Sequence, residues 1–188
     1  ARALDTGMMD ALARAIPATR RAPHFDPPFL TRCQMQKSVD VFPVEWIEIQ
    51  ERNLLLEGEV VIAALAVPRT NFRLQLEHEL RSRQIQLRQT FLAAAGKPAV
   101  LERALGGSAS SFATLFRSLL RLRGEEPPAE AARVYERVAD LFRLDAAGLL
   151  VPHLIRSGRA TKRAETAARY RMFLAEIDRL IIAIDELR

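Results

Sequence analysis

The chain has 188 residues, 49% of them apolar and 27% charged, which is the composition of a globular protein and excludes wholesale disorder. Its single cysteine, Cys33, excludes an internal disulfide framework and a zinc site built from cysteines. A single thiol favours a reducing, cytoplasmic location. No apolar run approaches the ~20 residues that cross a bilayer, so we expect no membrane partner.

The net charge of +5 is unevenly distributed. Residues 1–67 carry 7 basic and 9 acidic side chains, whereas residues 68–188 carry 21 basic and 14 acidic side chains. Of the 28 basic residues, 25 are arginine, and a guanidinium binds phosphate through two parallel hydrogen bonds. The basic half therefore favours a nucleotide or nucleic acid as partner. The alternative is a solvated surface of ion pairs, which the lack of aromatic residues among the basic ones favours.

The first 67 residues predict short elements of mixed type. Apolar spacing predicts a helix over residues 4–16 that ends at Pro17, and a turn-rich connector covers residues 22–28. Thr31 is a predicted N-cap for a brief helix that runs to residue 38.

Residues 41–49, VFPVEWIEI, are the best strand candidate because β-branched and aromatic residues dominate. Pro43 cannot donate a ladder hydrogen bond and therefore indicates the start of a strand or an edge. Alternation places Glu45 on an apolar face, where a carboxylate is costly unless it is paired or binds a metal. The alternative is an edge carboxylate that faces water.

From residue 68 onward every pattern is helical. The last helix carries a continuous apolar stripe, and short loops make neighbouring helices antiparallel. We therefore expect a mostly α protein of the α+β class, with a strand-containing segment at residues 1–67 packed on an antiparallel helical bundle at residues 68–188. The predicted helices cover residues 71–95, 98–123 with a kink or break at 106–107, 129–142, 145–157 and 161–187.

The first long helix of the bundle carries a polar row beside its apolar face. In a cleft against the first segment, the guanidiniums of this row would meet phosphates. The alternative is a solvated row in which each i,i+4 ion pair contributes ~0.2–0.5 kcal/mol. His78 lies beside the row as a candidate acid, base or ligand, or as a hydrogen-bonded structural histidine. The row consists of Arg73, Glu77, Arg81, Gln84 and Arg88.

Arg73 and His78 also form an R-x4-H string, which resembles the signature of HEPN-type helical ribonucleases. Two side chains five residues apart point about 140° away from each other on one helix. The resemblance therefore implies a site assembled across a homodimer. No phosphate loop, GxGxxG or GxSxG motif accompanies the string.

Two longer stretches, SVDVFPVEWIEIQERNLLLEGE at residues 38–59 and FRLQLEHELRSRQIQLRQTFL at residues 72–92, carry a second resemblance. Together with SSFATLFRSLLRL at residues 110–122, they resemble a group of bacterial proteins with a DNA polymerase β-like nucleotidyltransferase domain and a C-terminal helical bundle. In that superfamily a Gly-Ser motif and two acidic residues bind two Mg²⁺ ions that align the triphosphate. A later strand supplies a third carboxylate, and the resemblance places Glu45 there.

The resemblance makes residues 1–67 the remnant of a nucleotidyltransferase-like sheet. It implies that Arg73, Glu77, His78 and Arg81 face the substrate cleft. The Gly-Ser motif and its acidic pair do not occur in this sequence, and one carboxylate cannot hold two metal ions. We therefore expect no nucleotidyl transfer and no cofactor in this chain. The chain begins with Ala rather than Met, which favours a fragment, and a preceding segment with the missing acids would add Mg²⁺.

A rival interpretation from another class is a noncatalytic interaction module. In that case the long apolar stripes of the bundle would serve homodimerisation or bind a partner protein.

Overall fold

The computed structural model describes residues 5–19, 29–159 and 163–187, and all regular structure within these ranges is helical. The chain divides into two compact units, residues 1–68 and residues 69–188. Short 3₁₀ turns cover Ile62–Ala64 in the first unit and Arg163–Glu165 in the second. The helices are α1 (Thr6–Thr19), α2 (Arg32–Lys37) and α3 (Pro43–Glu51) in the first unit, and α4 (Arg69–Ala93), α5 (Pro98–Leu122), α6 (Ala131–Phe142), α7 (Ala146–Leu149), α8 (Val151–Arg156) and α9 (Thr166–Asp185) in the second.

The predicted strand over residues 41–49 is wrong, because most of these residues form α3. The described ranges contain no strand, so the expected α+β class with a remnant sheet is corrected to an all-helical protein. Pro43 explains the difference: its fixed φ and missing N–H suit the first position of a helix as well as the edge of a sheet. Glu45 then lies in the first turn of α3, where the helix dipole favours a carboxylate.

A small cluster around Trp46 forms the core of the first unit. Trp46 is 5% exposed and packs with the buried Val39 and Leu65. Its indole N–H donates a hydrogen bond to the Ser38 hydroxyl at 3.1 Å. The Gln50 side-chain amide, one turn further along α3, donates to the Leu65 carbonyl at 2.7 Å and joins α3 to the following segment. This packing selects a helix over the β propensity of the segment.

The ends of the first two helices test the predicted cap at Thr31 and the predicted helix end at Pro17. The Thr31 cap is confirmed: its hydroxyl accepts from the Gln34 N–H, and the Gln34 side chain accepts from the Thr31 N–H. Asp5 accepts from the Met8 N–H at the start of α1. α1 continues past Pro17 to its end at Thr19, so the predicted stop is wrong. The predicted connector over residues 22–28 lies outside the described residues.

The second unit is organised around α4, α5 and α9. A four-residue connection makes α4 and α5 antiparallel, and Phe91 near the end of α4 contacts Tyr170 near the start of α9, with ring centroids 5.4 Å apart. α9 therefore also runs antiparallel to α4. We call the apolar core between the helices of the second unit the seam, and it contains many fully buried side chains. Its largest side chains are Phe112, Phe116, Tyr135, Tyr170 and Phe173.

Two predicted boundaries in the bundle change. α5 runs through Gly106 without the predicted break, and a Cβ on Gly106 would lie 3.1 Å from Ile155 Cγ2, so the glycine allows α8 to pack closely on α5. The single helix predicted over residues 145–157 is split into α7 and α8. Asp145 caps α7, accepting from the Gly148 N–H at 3.1 Å. The first residues of the helix predicted over 161–187 lie outside the described ranges, and α9 covers most of the rest.

Within the described ranges, no helix combines the length and the apolar character needed to cross a lipid bilayer.

Candidate functional site

The structure brings three of the predicted site residues together on α4. Glu77 accepts from Arg73 through one carboxylate oxygen at 3.1 Å and from Arg81 through the other at 2.8 Å. The side chains of Arg73 and Glu77 are only 21% and 15% exposed, whereas that of Arg81 is 48% exposed. The first half of the polar row is therefore a chain of ion pairs, and Glu77 neutralises part of the positive charge that was expected to bind phosphate.

The second half of the row, Gln84 and Arg88, joins α4 to α9 through hydrogen bonds. Gln84 donates to one oxygen of Asp178 at 2.6 Å, and one guanidinium nitrogen of Arg88 lies 3.0 Å from both oxygens. Asp178 was not identified from the sequence. The sequence did contain a signal for this contact, because Asp178 lies among the apolar residues of the last helix. A carboxylate at the border of an apolar stripe faces the neighbouring helix.

The two remaining predicted residues lie elsewhere. His78 is exposed and lies on a different side of α4 from Arg73, as expected for two residues five positions apart. Glu45 is an exposed residue of α3 in the first unit. Its assignment as a third carboxylate assumed a strand, which the structure does not contain at this position.

The residues do not fit the two-metal site that the resemblance implies. Among the described residues, no group of three or more histidine, cysteine, aspartate or glutamate side chains is arranged to hold a metal ion.

A recess of about 480 Å³ at one end of the bundle contains three arginines, one of which is the predicted site residue Arg73. We call it the arginine pocket. It is lined by Arg69, Thr70, Arg73, Leu122, Arg123 and Leu187.

The hairpin of α4 and α5 builds this pocket. Because the two helices are antiparallel, the start of α4 lies beside the end of α5. Arg69 donates from its guanidinium to the Leu122 carbonyl oxygen at 2.8 Å, which satisfies one of the free carbonyls at the end of α5. Arg73 follows one turn later on α4, and Arg123 is the C-cap of α5. Three guanidiniums thus come from two helix ends.

The electrostatics of the arginine pocket favour an anion. No carboxylate is among its described lining residues, which include three arginines. Glu77 lies one turn beyond Arg73 and offsets part of the charge. Leu122 and Leu187 add apolar wall. The arrangement can hold an oxyanion against an apolar surface.

Arg69 and Arg123 were missed because the sequence reasoning followed one helix face. The available signal was topological: Arg69 begins a helix and Arg123 follows the end of the next one, so a short connection between the two helices places them side by side.

These assignments stand on the geometry of the chain itself. Comparisons with models of protein families, with curated proteins and with solved structures find no match to this chain.

Proposed function

We propose that this protein is a cytoplasmic binding module whose helical bundle holds the phosphate groups of a nucleotide-like ligand in the arginine pocket. This is the substrate-side role that the resemblance to nucleotidyltransferase-like proteins implies. The observation that carries it is the convergence of Arg69, Arg73 and Arg123 on one recess that no described carboxylate lines. Among the described residues, no group of three or more possible ligands is arranged to hold a metal ion, so binding rather than nucleotidyl transfer is the activity proposed.

The dimensions and chemistry of the pocket support a small ligand over a polymer. Its volume of about 480 Å³ lies within the ~300–1,000 Å³ typical of small-molecule sites. Guanidiniums match phosphate oxygens in geometry as well as in charge. Leu122 and Leu187 offer apolar surface to the sugar or base. A nucleic acid would need an extended basic stripe, whereas the two arginines further along the row on α4, Arg81 and Arg88, pair with Glu77 and Asp178.

Isothermal titration with ATP and with tripolyphosphate tests this proposal. Arg123→Ala removes one guanidinium, while the backbone N–H of residue 123 keeps its bonds to the end of α5. A charge-assisted hydrogen bond contributes about 1.5–3 kcal/mol, so we expect affinity to fall about tenfold or more. Arg133→Ala, an exposed arginine on α6, is the matched control and should leave the affinity unchanged. Equal affinities of wild type and Arg123→Ala would refute the assignment.

Homodimerisation is a second candidate function, favoured by three exposed apolar residues of α4. Leu74, Ile85 and Leu92 are 50%, 52% and 78% exposed, and their spacings of 11 and 7 residues place them on one helix face. A second copy of the same face would cover them. Sedimentation equilibrium should then show a dimer that Ile85→Glu dissociates. A wild-type protein that stays monomeric would remove this candidate.

The HEPN-type interpretation depends on such a dimer, because His78 and Arg73 of one chain point apart. It predicts RNA cleavage by the dimer that is lost in His78→Ala. Absence of cleavage by a wild-type dimer would remove it.

A further inference from the structure

A second recess, of about 470 Å³, lies between α5, the start of α6 and the end of α8. We call it the α5–α8 pocket. It shares no lining residue with the arginine pocket. Its floor contains three alanines, and its polar side chains are Ser110, Thr114, Arg117, His153, Arg156 and Ser157.

Two short polar rows face each other across this pocket. Ser110, Thr114 and Arg117 follow the i, i+4, i+7 spacing that keeps side chains on one face of α5. His153 and Arg156 lie one turn apart at the end of α8. The close packing of α8 on α5 at Gly106 and the small alanine side chains leave the space between the rows open.

The α5–α8 pocket lies beside one buried tyrosine. Tyr135 lies fully buried beside the recess, and its hydroxyl donates to the Ala109 carbonyl oxygen at 2.7 Å. Arg117 and Arg156 both act electrostatically to lower the pKa of this hydroxyl, although burial has the larger effect and raises it. The His153 ring packs against Tyr135, with centroids 6.0 Å apart.

The chemistry of this lining is that of an anion site. One guanidinium nitrogen of Arg117 donates a hydrogen bond to the Ala129 carbonyl oxygen at 3.2 Å. This bond holds the side chain in place at the pocket. No carboxylate is among the described residues that line the recess. Both guanidiniums line the same recess, so a bound anion would be attracted to each of them. Hydroxyl groups complement guanidiniums as donors to oxyanions.

We propose that the α5–α8 pocket binds a small phosphomonoester, with its phosphate held by Arg117 and Arg156 and hydrogen-bonded by the hydroxyls of Ser110 and Thr114. The alanine floor accommodates the ester's organic part, for which a volume of about 470 Å³ leaves room beside the phosphate. This site is separate from the arginine pocket and does not depend on the function proposed there.

Titration of the ¹⁵N-labelled full chain with ribose 5-phosphate, inorganic phosphate and ribose, followed by NMR, tests the site and locates it. We expect saturable shifts at the amides of Ser110, Thr114 and Ser157, with affinity decreasing from ribose 5-phosphate to phosphate to ribose. Shifts confined to other amides would overturn the proposal. Equal affinities for phosphate and its ester would overturn the assignment of an ester, and equal affinities for ribose and ribose 5-phosphate would overturn the anion site.

Two variants test the site by different routes. Arg156→Ala removes an exposed guanidinium at the end of α8 and should weaken ribose 5-phosphate binding about tenfold or more. Ser110→Leu fills the recess without changing its charge and should weaken binding as well. Arg14→Ala, an exposed arginine on α1, is the charge-matched control and should bind as wild type does. Wild-type affinity in both pocket variants would refute the proposal, and dispersed spectra would show that each variant is folded.

Discussion

The two units of this protein bury their apolar residues to very different extents. The second unit has a continuous seam of fully buried aromatic and aliphatic side chains, such as Phe112 and Phe173, whose rings meet edge to face at 5.0 Å. The first unit buries a cluster of three around Trp46 and leaves Leu54 and Leu56 82% and 87% exposed. Short helices are marginal without tertiary packing. The first unit therefore depends on this small cluster together with caps and single hydrogen bonds, and the second unit on its large core.

The chain carries a separate spectroscopic reporter for each unit. Its one tryptophan, Trp46, is buried in the first unit, and its two tyrosines, Tyr135 and Tyr170, are buried in the second. Because buried apolar area sets the stability of a unit, we expect Trp46 fluorescence to change at a lower urea concentration than the tyrosine signal. Coincident transitions would show that the units unfold as one.

The largest expected effect is a cavity in the seam. Phe173→Ala removes a fully buried ring and should lower the free energy of unfolding of the second unit by about 3–5 kcal/mol. Urea unfolding followed by tyrosine circular dichroism measures it. The neighbouring Met172, 42% exposed, provides the control, since Met172→Ala removes little buried area. Similar losses in both variants would contradict the assignment of a packed seam at Phe173.

A cavity in the first unit should have a smaller and more local effect. Leu65→Ala opens the cluster around Trp46 and should lower the free energy of unfolding of the first unit by about 2 kcal/mol. The tyrosine transition should not move. Leu54→Ala, at an exposed position, is the control and should leave both transitions unchanged. A shift of the tyrosine transition in Leu65→Ala would show that the two units do not unfold independently.

The contrast between the units also explains what the sequence could reveal. The bundle was predictable because apolar residues at helical spacing and short loops between the helices both indicate the same structure. In the first unit Pro43 suits a helix start and a strand edge equally, so the β-rich composition of residues 41–49 gave the wrong class. Tertiary packing of Trp46 decided between them, and no local pattern encodes that packing.

The candidate sites were predictable to a smaller degree for a related reason. Arg73 was identified because it belongs to a row on one helix, and the same row contains the Glu77 that neutralises it. The pockets, in contrast, join residues from different helices. Arg69 and Arg123 are 54 positions apart, and only the antiparallel pairing of α4 and α5 brings them together. The residue pattern along one helix cannot reveal a site that is built from two helices.

Alkaline pH should weaken the second unit selectively. Burial raises the pKa of Tyr170 to about 12, and burial also raises the pKa of Tyr135 despite two nearby arginines. A tyrosine in the unfolded chain has a pKa of ~10. Unfolding therefore releases protons at pH values between this pKa and the pKa of the folded state. The stability is fully present below pH ~10 and is lost as the pH rises toward the folded values. Tyrosinate absorbance should therefore appear only as the second unit unfolds, and its appearance in the folded protein near pH ~10 would contradict the burial of both hydroxyls.

The smallest effect is expected at the surface contact between α4 and α9. Arg88 and Asp178 are 53% and 41% exposed, and exposed ion pairs contribute about 0.2–1 kcal/mol. Arg88→Ala should lower the free energy of unfolding within that range, because Gln84 still donates to Asp178. At ~1 M salt the Debye length falls to about 3 Å, so the difference between variant and wild type should shrink. A larger loss that persists in high salt would mean that the aliphatic part of Arg88 packs in the seam, and the row on α4 would then belong to the core rather than to the surface.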